Sequence, residues 1–264
     1  MPELPDVAGF KKYLDATSLH QTIDTTHCYD GRFIKETSRR RLQKHLKGAR
    51  LKGTRRWGKW LFVDLDTGGE LVLHFGMTGQ LNYGHAEADL PEHTRLELDF
   101  ENGKRLAVVS QRMIGQAGYT DDVDAFARQH DLGIDALDGR LDADAFIERM
   151  QSRRGSLKSA LMNQSVLAGI GNVYSDEILY QARLHPASRV KALDRPALRT
   201  VHKKVRHVLK TASKWGGDSS CAPRSWLLGH RGADGQCPGC DGQLKSTKIN
   251  GRTAWFCPNC QAKA

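Results

Sequence analysis

Apolar residues in the first half of the chain recur at the spacing of β-strands. Four runs are rich in Leu, Val and Phe; a polar turn at residues 66–69 separates the first two, and Asn102-Gly103 joins the last two. Asn-Gly between apolar runs is a strong indication of a hairpin. Ahead of these runs, Val7, Phe10 and Leu14 recur at helical spacing. The pattern predicts an antiparallel β-sandwich or barrel preceded by one helix, with strands at 60–65, 71–75, 96–100 and 105–109.

The second half of the chain has helical periodicity. Asp142 is a suitable N-cap residue for a helix through about Gln151, and a second short helix is predicted from Ser156 to Gln164. Asp194, with Pro196 just inside, begins a longer one that ends at Gly216-Gly217. The predicted helices cover about 142–151, 156–164, 172–184 and 194–215.

These patterns predict an α+β fold in four parts. An N-terminal antiparallel β-sandwich with a leading helix covers residues 1–120, and an acidic interdomain crossing covers 121–140. A helical domain covers 141–225, and a short cysteine-containing hairpin covers 226–264.

Positive charge is concentrated in the second half. The whole chain carries +10, but residues 151–264 hold 19 Lys and Arg against 6 Asp and Glu, which gives +13. A basic domain is typical of nucleic-acid binding, although a charged surface for solubility is the simpler alternative. No apolar run approaches the roughly 18 residues that span a bilayer, and the start lacks the apolar region of a signal peptide. A cytoplasmic, nucleoid-associated protein is therefore expected.

Four cysteines near the C-terminus have the spacing of a zinc site. Cys237 and Cys240 form one CxxC pair, Cys257 and Cys260 form another, and sixteen residues separate the pairs. Two such pairs supply a tetrahedral set of thiolates, which leaves no open position for catalysis. The spacing predicts one structural Zn²⁺ ion bound by these four residues.

The N-terminus carries candidate chemistry. Removal of the initiator Met before Pro2 exposes a secondary amine, and an α-amino group titrates near ~8. Its attack on an aldehydic sugar carbon gives a cationic iminium, which is an electron sink for elimination. Glu3, the next residue, is near enough for proton transfer. The alternative is that these residues are simply a start sequence.

A Gly-rich segment, Leu167–Asn172, lies between two predicted helices. Its glycines permit close approach of the backbone, and the N–H groups at the start of the next helix favour an anion. Asn172 either caps that helix or bonds a phosphate oxygen. A structural turn between helices is the alternative.

Together these segments resemble the formamidopyrimidine-DNA glycosylase / endonuclease VIII family of base-excision repair. The resemblance covers nearly the whole chain and depends on five separated motifs in the same order. They are Pro2–Pro5, Arg56–Trp60, His74–Gly79, Leu161–Leu179 with its Gly-rich turn, and Gly251-Arg252 before the last CxxC pair.

The resemblance implies a bifunctional DNA glycosylase and AP lyase. Such an enzyme excises oxidised or ring-opened bases from double-stranded DNA and cleaves the abasic strand by β,δ-elimination. Pro2 is then the Schiff-base nucleophile and Glu3 the proton donor. Lys59 matches the residue assigned to β-elimination, and Arg252 matches the arginine assigned to δ-elimination and phosphate binding.

The resemblance also implies a helix–two-turn–helix module over 164–184 that grips DNA, followed by a zinc-bound hairpin. Met77 matches the wedge that fills the gap left by a flipped nucleotide, although core packing is the alternative for a lone methionine. A monomer is expected. The remaining predicted DNA-binding residues are His93, Arg112, Arg153, Lys158 and Asn172.

Some positions depart from the family pattern. Ile114 stands in the place of an aromatic wedge, and the segment 216–236 is shorter than the lesion-capping loop of the formamidopyrimidine branch. A more open base pocket is expected, with ring-opened purines or oxidised pyrimidines preferred to 8-oxoguanine. A non-catalytic nucleic-acid-binding protein that uses only the helical module and zinc hairpin is the alternative function, and a lyase acting only on abasic sites is a third.

Overall fold

The structure, a computed structural model, describes residues 1–264 and comprises two compact units. The first contains Met1–Pro2 and Asp6–His130, and the second contains Glu3–Pro5 and Asp131–Ala264. None of the helices combines the length and apolar character needed to cross a membrane. The four-part division expected from the sequence stays a prediction.

The first unit is built from antiparallel strands and three helices. Its elements are α1 (Leu4–Thr17, whose first two residues belong to the second unit), β1 (Ile23–Cys28), α2 (Arg39–Leu46), β2 (Leu51–Trp57), β3 (Trp60–Leu65), β4 (Glu70–His74), β5 (Gly79–His85), β6 (Thr94–Phe100), β7 (Lys104–Ser110), β8 (Gln116–Thr120) and α3 (Val123–Gln129).

These strands form two four-stranded sheets, ordered β1-β6-β7-β5 and β2-β3-β4-β8. Leu98 and Leu106 from the first sheet and Leu61 and Leu73 from the second belong to one buried apolar core. Because alternate side chains of a strand point to opposite faces, each sheet contributes one face to this core. The predicted β-sandwich is confirmed.

Four strands and two helices of this unit were not predicted. The exposed positions of β1, β2, β5, α2 and α3 are mostly charged or polar, and β8 has no exposed residue. Each of these six elements buries at most three apolar residues, too few for a recognisable period.

The second unit is mainly helical and ends in a hairpin. Asp142 and Asp194 accept N-cap hydrogen bonds as predicted, and Ser156 does so too, each from a backbone N–H three residues later. Its elements are β9 (Ile134–Asp135), α4 (Ala143–Gln151), α5 (Leu157–Met162), β10 (Leu167–Ala168), α6 (Asn172–Gln181), α7 (Arg195–Lys214), β11 (Lys245–Ile249) and β12 (Arg252–Phe256).

Helix α7 organises the core of this unit. Leu198, Val201, Val205 and Val208 are fully buried along one side of the helix, where α4 and α6 pack. The antiparallel pair β11–β12 forms the C-terminal hairpin and has its own small core, which includes Leu227 and Leu244. The α+β fold and the C-terminal cysteine-containing hairpin are confirmed.

The loop between β4 and β5 packs directly against the loop between β7 and β8. Gly76 has a positive φ of 59°, and a Cβ built on it would lie 2.4 Å from the backbone nitrogen of Gly115. Only glycine permits both this backbone conformation and this approach. The contact holds the loop that carries Met77.

We expect Gly76→Ala to lower the free energy of unfolding by about 3 kcal/mol, because the methyl group forces two loop backbones apart. Gly103→Ala is the matched control, since Gly103 also has a positive φ (74°) but no atom within 4 Å of its Cβ position. It should cost only about 1 kcal/mol. Equal losses for both variants in urea unfolding would contradict this account.

A second buried feature is the carboxylate of Glu177 on α6. It is fully buried and accepts hydrogen bonds from the backbone N–H of Leu228 at 2.9 Å and the Gln181 side chain at 2.8 Å. Burial raises the pKa of Glu177 to about 7. The folded protein therefore favours the neutral carboxyl, and the stability linked to that form is lost as the pH rises towards 7.

Glu177→Gln should accordingly gain stability relative to the native protein as the pH is raised from 5 to 8, because glutamine stays neutral. Melting temperatures measured across this range check the sign. Glu148→Gln, at an exposed position on α4, is the control and should show no such trend. A constant difference between Glu177→Gln and the native protein would be evidence against the effect.

Candidate functional site

The Glu3 carboxylate lies at the N-terminus of α6. Its oxygens accept hydrogen bonds from the backbone N–H groups of Gly171 at 2.7 Å, Val173 at 2.8 Å and Tyr174 at 3.3 Å. The first N–H groups of a helix lack partners within the helix, and its dipole favours negative charge there. The anion bound at the Gly-rich turn is therefore the Glu3 carboxylate. The sequence had left a phosphate as one possible ligand of this turn.

This arrangement requires glycine at position 171. A Cβ there would lie 2.4 Å from the Glu3 carboxyl carbon. The N–H of Leu4 also donates to the carbonyl of Gly169 at 3.0 Å, so backbone bonds fix the same N-terminal segment. The glycines of this turn therefore leave the space in which Glu3 and Leu4 pack.

Asn172 connects α6 to the hairpin. Its side chain does not cap the helix, since Gly171 occupies the N-cap position. The Asn172 amide instead donates to the carbonyl of Thr253 on β12 at 3.0 Å. An amide nitrogen carries two hydrogens, so one remains for a further acceptor.

Lys158 has a different place from the one expected. Its side chain is completely buried, and its ammonium donates to the Asn172 carbonyl at 2.9 Å, the Ser175 hydroxyl at 2.7 Å and the Asp176 carboxylate at 2.7 Å. All three donors are used, and burial lowers the pKa of Lys158 while Asp176 opposes that shift. The expectation of direct DNA binding by Lys158 is corrected to a structural role.

Asp176 is the residue that sequence reasoning missed. Beside Lys158, this buried carboxylate accepts from the Arg231 guanidinium at 2.9 Å and from the backbone N–H of Trp255 on β12 at 3.2 Å. One carboxylate therefore ties α5, the segment before the cysteines and the hairpin to α6. The available clue was an Asp-Glu pair at 176–177 within an otherwise apolar stretch.

The four cysteines converge as their spacing predicted. All four sulfurs lie within 4.8 Å of one another, with Cys237 3.8 Å from Cys260 and Cys240 3.5 Å from Cys257. Zn–S bonds of about 2.3 Å in a tetrahedron place sulfurs roughly 3.8 Å apart. The cluster fits a zinc-binding site.

Two of the predicted arginines in the second unit are exposed. Arg153 follows α4, and Arg252 begins β12. Arg252 lines a cavity of about 280 Å³ together with Asn163 on the adjoining turn. The turn of the hairpin is anchored there, because Asn250 donates to the Ser159 hydroxyl at 2.5 Å.

Pro2 and Met77 line one cavity of the first unit, with a volume of about 510 Å³. Pro2 is half-buried, and the initiator Met1 also lines this space. Asp6 contributes a carboxylate to the wall. The structure thus brings the predicted nucleophile and the predicted wedge to the same open surface.

Lys59 lies in the turn between β2 and β3 and is largely buried. It is close enough to His74 to affect its charge: burial first, then the positive charges of Lys59 and His130, lower the pKa of His74 to about 4. His74 is therefore neutral at physiological pH, within electrostatic range of the Lys59 ammonium group.

The loop tips of the first unit carry exposed apolar and basic side chains. Met77 and Ile114 are 38% and 49% exposed, and Arg112, on the same loop as Ile114, is exposed. The N–H of Arg112 donates to the Thr78 hydroxyl at 3.2 Å, so the two loops are joined. His93 lies just before β6, with its ring 3.4 Å from the Glu92 carboxylate.

Family models match both units of the chain. The formamidopyrimidine-DNA glycosylase N-terminal domain matches residues 1–117, and the formamidopyrimidine-DNA glycosylase H2TH domain matches residues 132–223. The formamidopyrimidine-DNA glycosylase of Chloroflexus aurantiacus is 31% identical over 278 residues, which cover 99% of this chain and 98% of that protein. The Synechocystis protein of the same name is also 31% identical, over 100% and 99% of the two chains.

Solved structures agree with these relatives. The Lactococcus lactis formamidopyrimidine-DNA glycosylase, bound non-covalently to DNA containing an AP site, superposes with a TM-score of 0.90 at 26% identity, covering 99% of this chain and 100% of that one. MutM in complex with DNA containing carbocyclic 8-oxo-G gives the same score, identity and coverage. The chain therefore belongs to the formamidopyrimidine-DNA glycosylase family and is a DNA glycosylase with AP lyase activity that acts in base-excision repair.

Proposed function

We propose that Pro2 is the nucleophile of this glycosylase and that Glu3 moves the proton that releases the base. The observation that carries this proposal is the position of Glu3, whose carboxylate is held by three backbone N–H groups of α6. Pro2 precedes Glu3 directly, so the peptide bond keeps the amine beside a fixed carboxylate. A start sequence without chemical function has no need of such a buried, hydrogen-bonded acid.

The reaction begins when the Pro2 amine attacks C1′ of the damaged nucleotide. The N-glycosidic bond breaks, the base leaves with a proton delivered through Glu3, and the sugar ring opens to an iminium. Loss of a C2′ proton then expels the 3′ phosphate, because the iminium accepts the electron pair. A second elimination expels the 5′ phosphate, and hydrolysis of the iminium returns Pro2.

The cations divide between these steps in the proposal. Lys59 assists β-elimination, and Arg252 assists δ-elimination while it binds phosphate. Their positions support these roles, since Lys59 is the cation next to a neutral His74 and Arg252 is exposed at the start of β12. Such cations lower the cost of placing phosphates and developing negative charge at the site.

The substrate is double-stranded DNA with an oxidised or ring-opened base or an abasic site, bound by a monomer at the nucleoid in the cytoplasm. The Lactococcus lactis relative has been crystallised with DNA containing Fapy-dG, a ring-opened purine.

Met77 and Ile114 fill the space of the flipped nucleotide. The preference for lesions other than 8-oxoguanine stays a prediction. The DNA contacts come from His93, Arg112, Arg153 and the second amide hydrogen of Asn172.

One structural Zn²⁺ ion, held by Cys237, Cys240, Cys257 and Cys260, completes the proposal. When bound, it supplies folding energy to a hairpin whose own core is small. That folding presents Arg252 and lets β12 accept the Asn172 hydrogen bond. The zinc takes no part in bond making or breaking.

Borohydride trapping on a duplex with one ring-opened purine tests the nucleophile. The native protein should form a covalent adduct, and a chain whose Pro2 nitrogen is blocked by an N-terminal extension should form none. Glu3→Gln should slow base release at least 100-fold, within the range lost with a general acid, but should still be trapped on a ready-made abasic site. An adduct with the blocked chain, or no adduct on any lesion or abasic site, would refute the proposal.

Replacement of a zinc ligand tests the structural ion. Cys257→Ser should lose zinc, lower the melting temperature and weaken binding to abasic-site DNA together, because the hairpin carrying Arg252 no longer folds. Cys221→Ser is the matched control, since Cys221 is exposed and lies outside the cluster. Zinc content, melting temperature and DNA affinity are measured on both. Normal DNA affinity in a zinc-free Cys257→Ser protein would argue against the role.

A further inference from the structure

A polar cavity of about 370 Å³ lies in the second unit, and none of the residues given a catalytic or DNA-binding role above lines it. It is named the Arg183 pocket, and its walls come from the C-terminal end of α6, the exposed side of α7 and the segments around residues 225 and 238. The lining side chains that matter are Gln181, Arg183, Lys204, His207, Ser225 and Trp226.

Two cations, Arg183 and Lys204, line the Arg183 pocket. No carboxylate lines it, and the side chains of Arg183 and Lys204 have neither an ion pair nor a hydrogen bond within the protein. Two arginines of α7 are engaged elsewhere: Arg199 pairs with Asp144 at 3.0 Å, and Arg206 donates to a backbone carbonyl at 2.7 Å. Unpaired cations gathered in a concavity favour an anion.

The neutral groups of the pocket are suited to the same kind of ligand. The amide of Gln181 and the hydroxyl of Ser225 supply further hydrogen-bond donors around the two cations. An anion with several acceptor oxygens can use an arginine fork and these donors together, and phosphate is the common biological example. A ligand in the pocket cannot stack on the ring of Trp226, because this residue is only 5% exposed and packs edge-on against Trp215.

Arg183 has a left-handed backbone conformation, which is unfavourable for a residue with a side chain. Arg183 follows the end of α6 with a φ of 59°, where the N–H of Leu184 bonds the carbonyl of Leu179 and the N–H of Arg183 bonds that of Tyr180, both at 3.0 Å. Glycine is the usual residue at this position of a helix end, and a side chain costs about 1 kcal/mol. The arginine is thus retained where the backbone favours glycine.

The pocket is separate from the site already described. Asn172 and Glu3 lie at the N-terminal end of α6, whereas the Arg183 pocket lies at its C-terminal end. Ten residues at about 1.5 Å each separate the two by roughly 15 Å. A phosphate in the pocket is therefore not the one that Asn172 would bind.

We propose that the Arg183 pocket is a second phosphate-binding site, which takes the phosphate group of a nucleotide or of a nucleic-acid strand. This inference does not rest on the proposed roles of Pro2 and Glu3, and a protein without glycosylase activity would still show it. A competing role for the cations is to offset the charge of the cysteine thiolates, since the Tyr180 hydroxyl on the pocket wall is 3.5 Å from the Cys237 sulfur.

Calorimetric titration of the full zinc-loaded chain with inorganic phosphate tests the proposal. Arg183→Gly removes the cation and also suits the left-handed backbone, so folding is preserved. Arg183→Gly and Lys204→Gln should each weaken phosphate binding roughly tenfold, which is the loss of one charge-assisted hydrogen bond. Lys203→Gln is the matched control, because Lys203 is exposed on the same helix and does not line the pocket.

Two further binding measurements, with a mononucleotide and with an undamaged duplex, identify the source of the phosphate. Tighter binding of a mononucleotide than of inorganic phosphate, lost in Arg183→Gly, supports a free nucleotide. Weaker binding of an undamaged duplex by Arg183→Gly, with trapping on abasic DNA retained, supports a nucleic-acid strand. Unchanged binding of all three probes in Arg183→Gly overturns the proposal. So does loss of zinc from that variant without loss of phosphate binding, or Arg183-dependent binding of an acidic peptide but not of phosphate.

Discussion

The second unit of this protein depends on a single carboxylate–amide interaction, that of Glu3 with the first N–H groups of α6. A buried charge is tolerated only where donors replace its lost hydration, and the start of a helix supplies several at once. The glycines of the 167–172 turn follow from this need, since Gly171 touches the carboxylate. The order of residues at the chain's start is therefore fixed by the architecture of a helix almost 170 residues later.

A second constraint meets the first on the same helix. Lys158 and Asp176 are both completely buried, and their charges compensate each other, with Arg231 as a second cation beside Asp176. Their partners reach into α5, β12 and the segment that carries Arg231. Helix α6 thus holds the acid at one end, the hairpin along its side and a cation-lined pocket at the other end. The zinc ligands shape the hairpin, whereas Asp176 and Asn172 attach it.

Local patterns allowed much of this to be predicted. N-caps at Asp142, Ser156 and Asp194 depend on adjacent residues, and the cysteine spacing depends on the geometry of one ion, so both follow from sequence. Lys158 could not be placed in this way. A lysine looks like a surface cation unless its buried partner is known, and Asp176 lies 18 positions away. The identity of the anion at the Gly-rich turn could not be predicted for the same reason, because Glu3 reaches that turn only through tertiary packing.

The Gly76 contact between two loops of the sandwich bears on the wedge role proposed for Met77. A wedge on a mobile loop would lose backbone entropy each time it entered a duplex, about 1–2 kcal/mol for every residue ordered. Here the contact between Gly76 and Gly115 and the hydrogen bond from Arg112 to Thr78 hold the loop in place. In the proposed role, the free energy of inserting Met77 therefore goes mainly into unstacking the bases, and a damaged step can be distinguished from an intact one by how easily it unstacks.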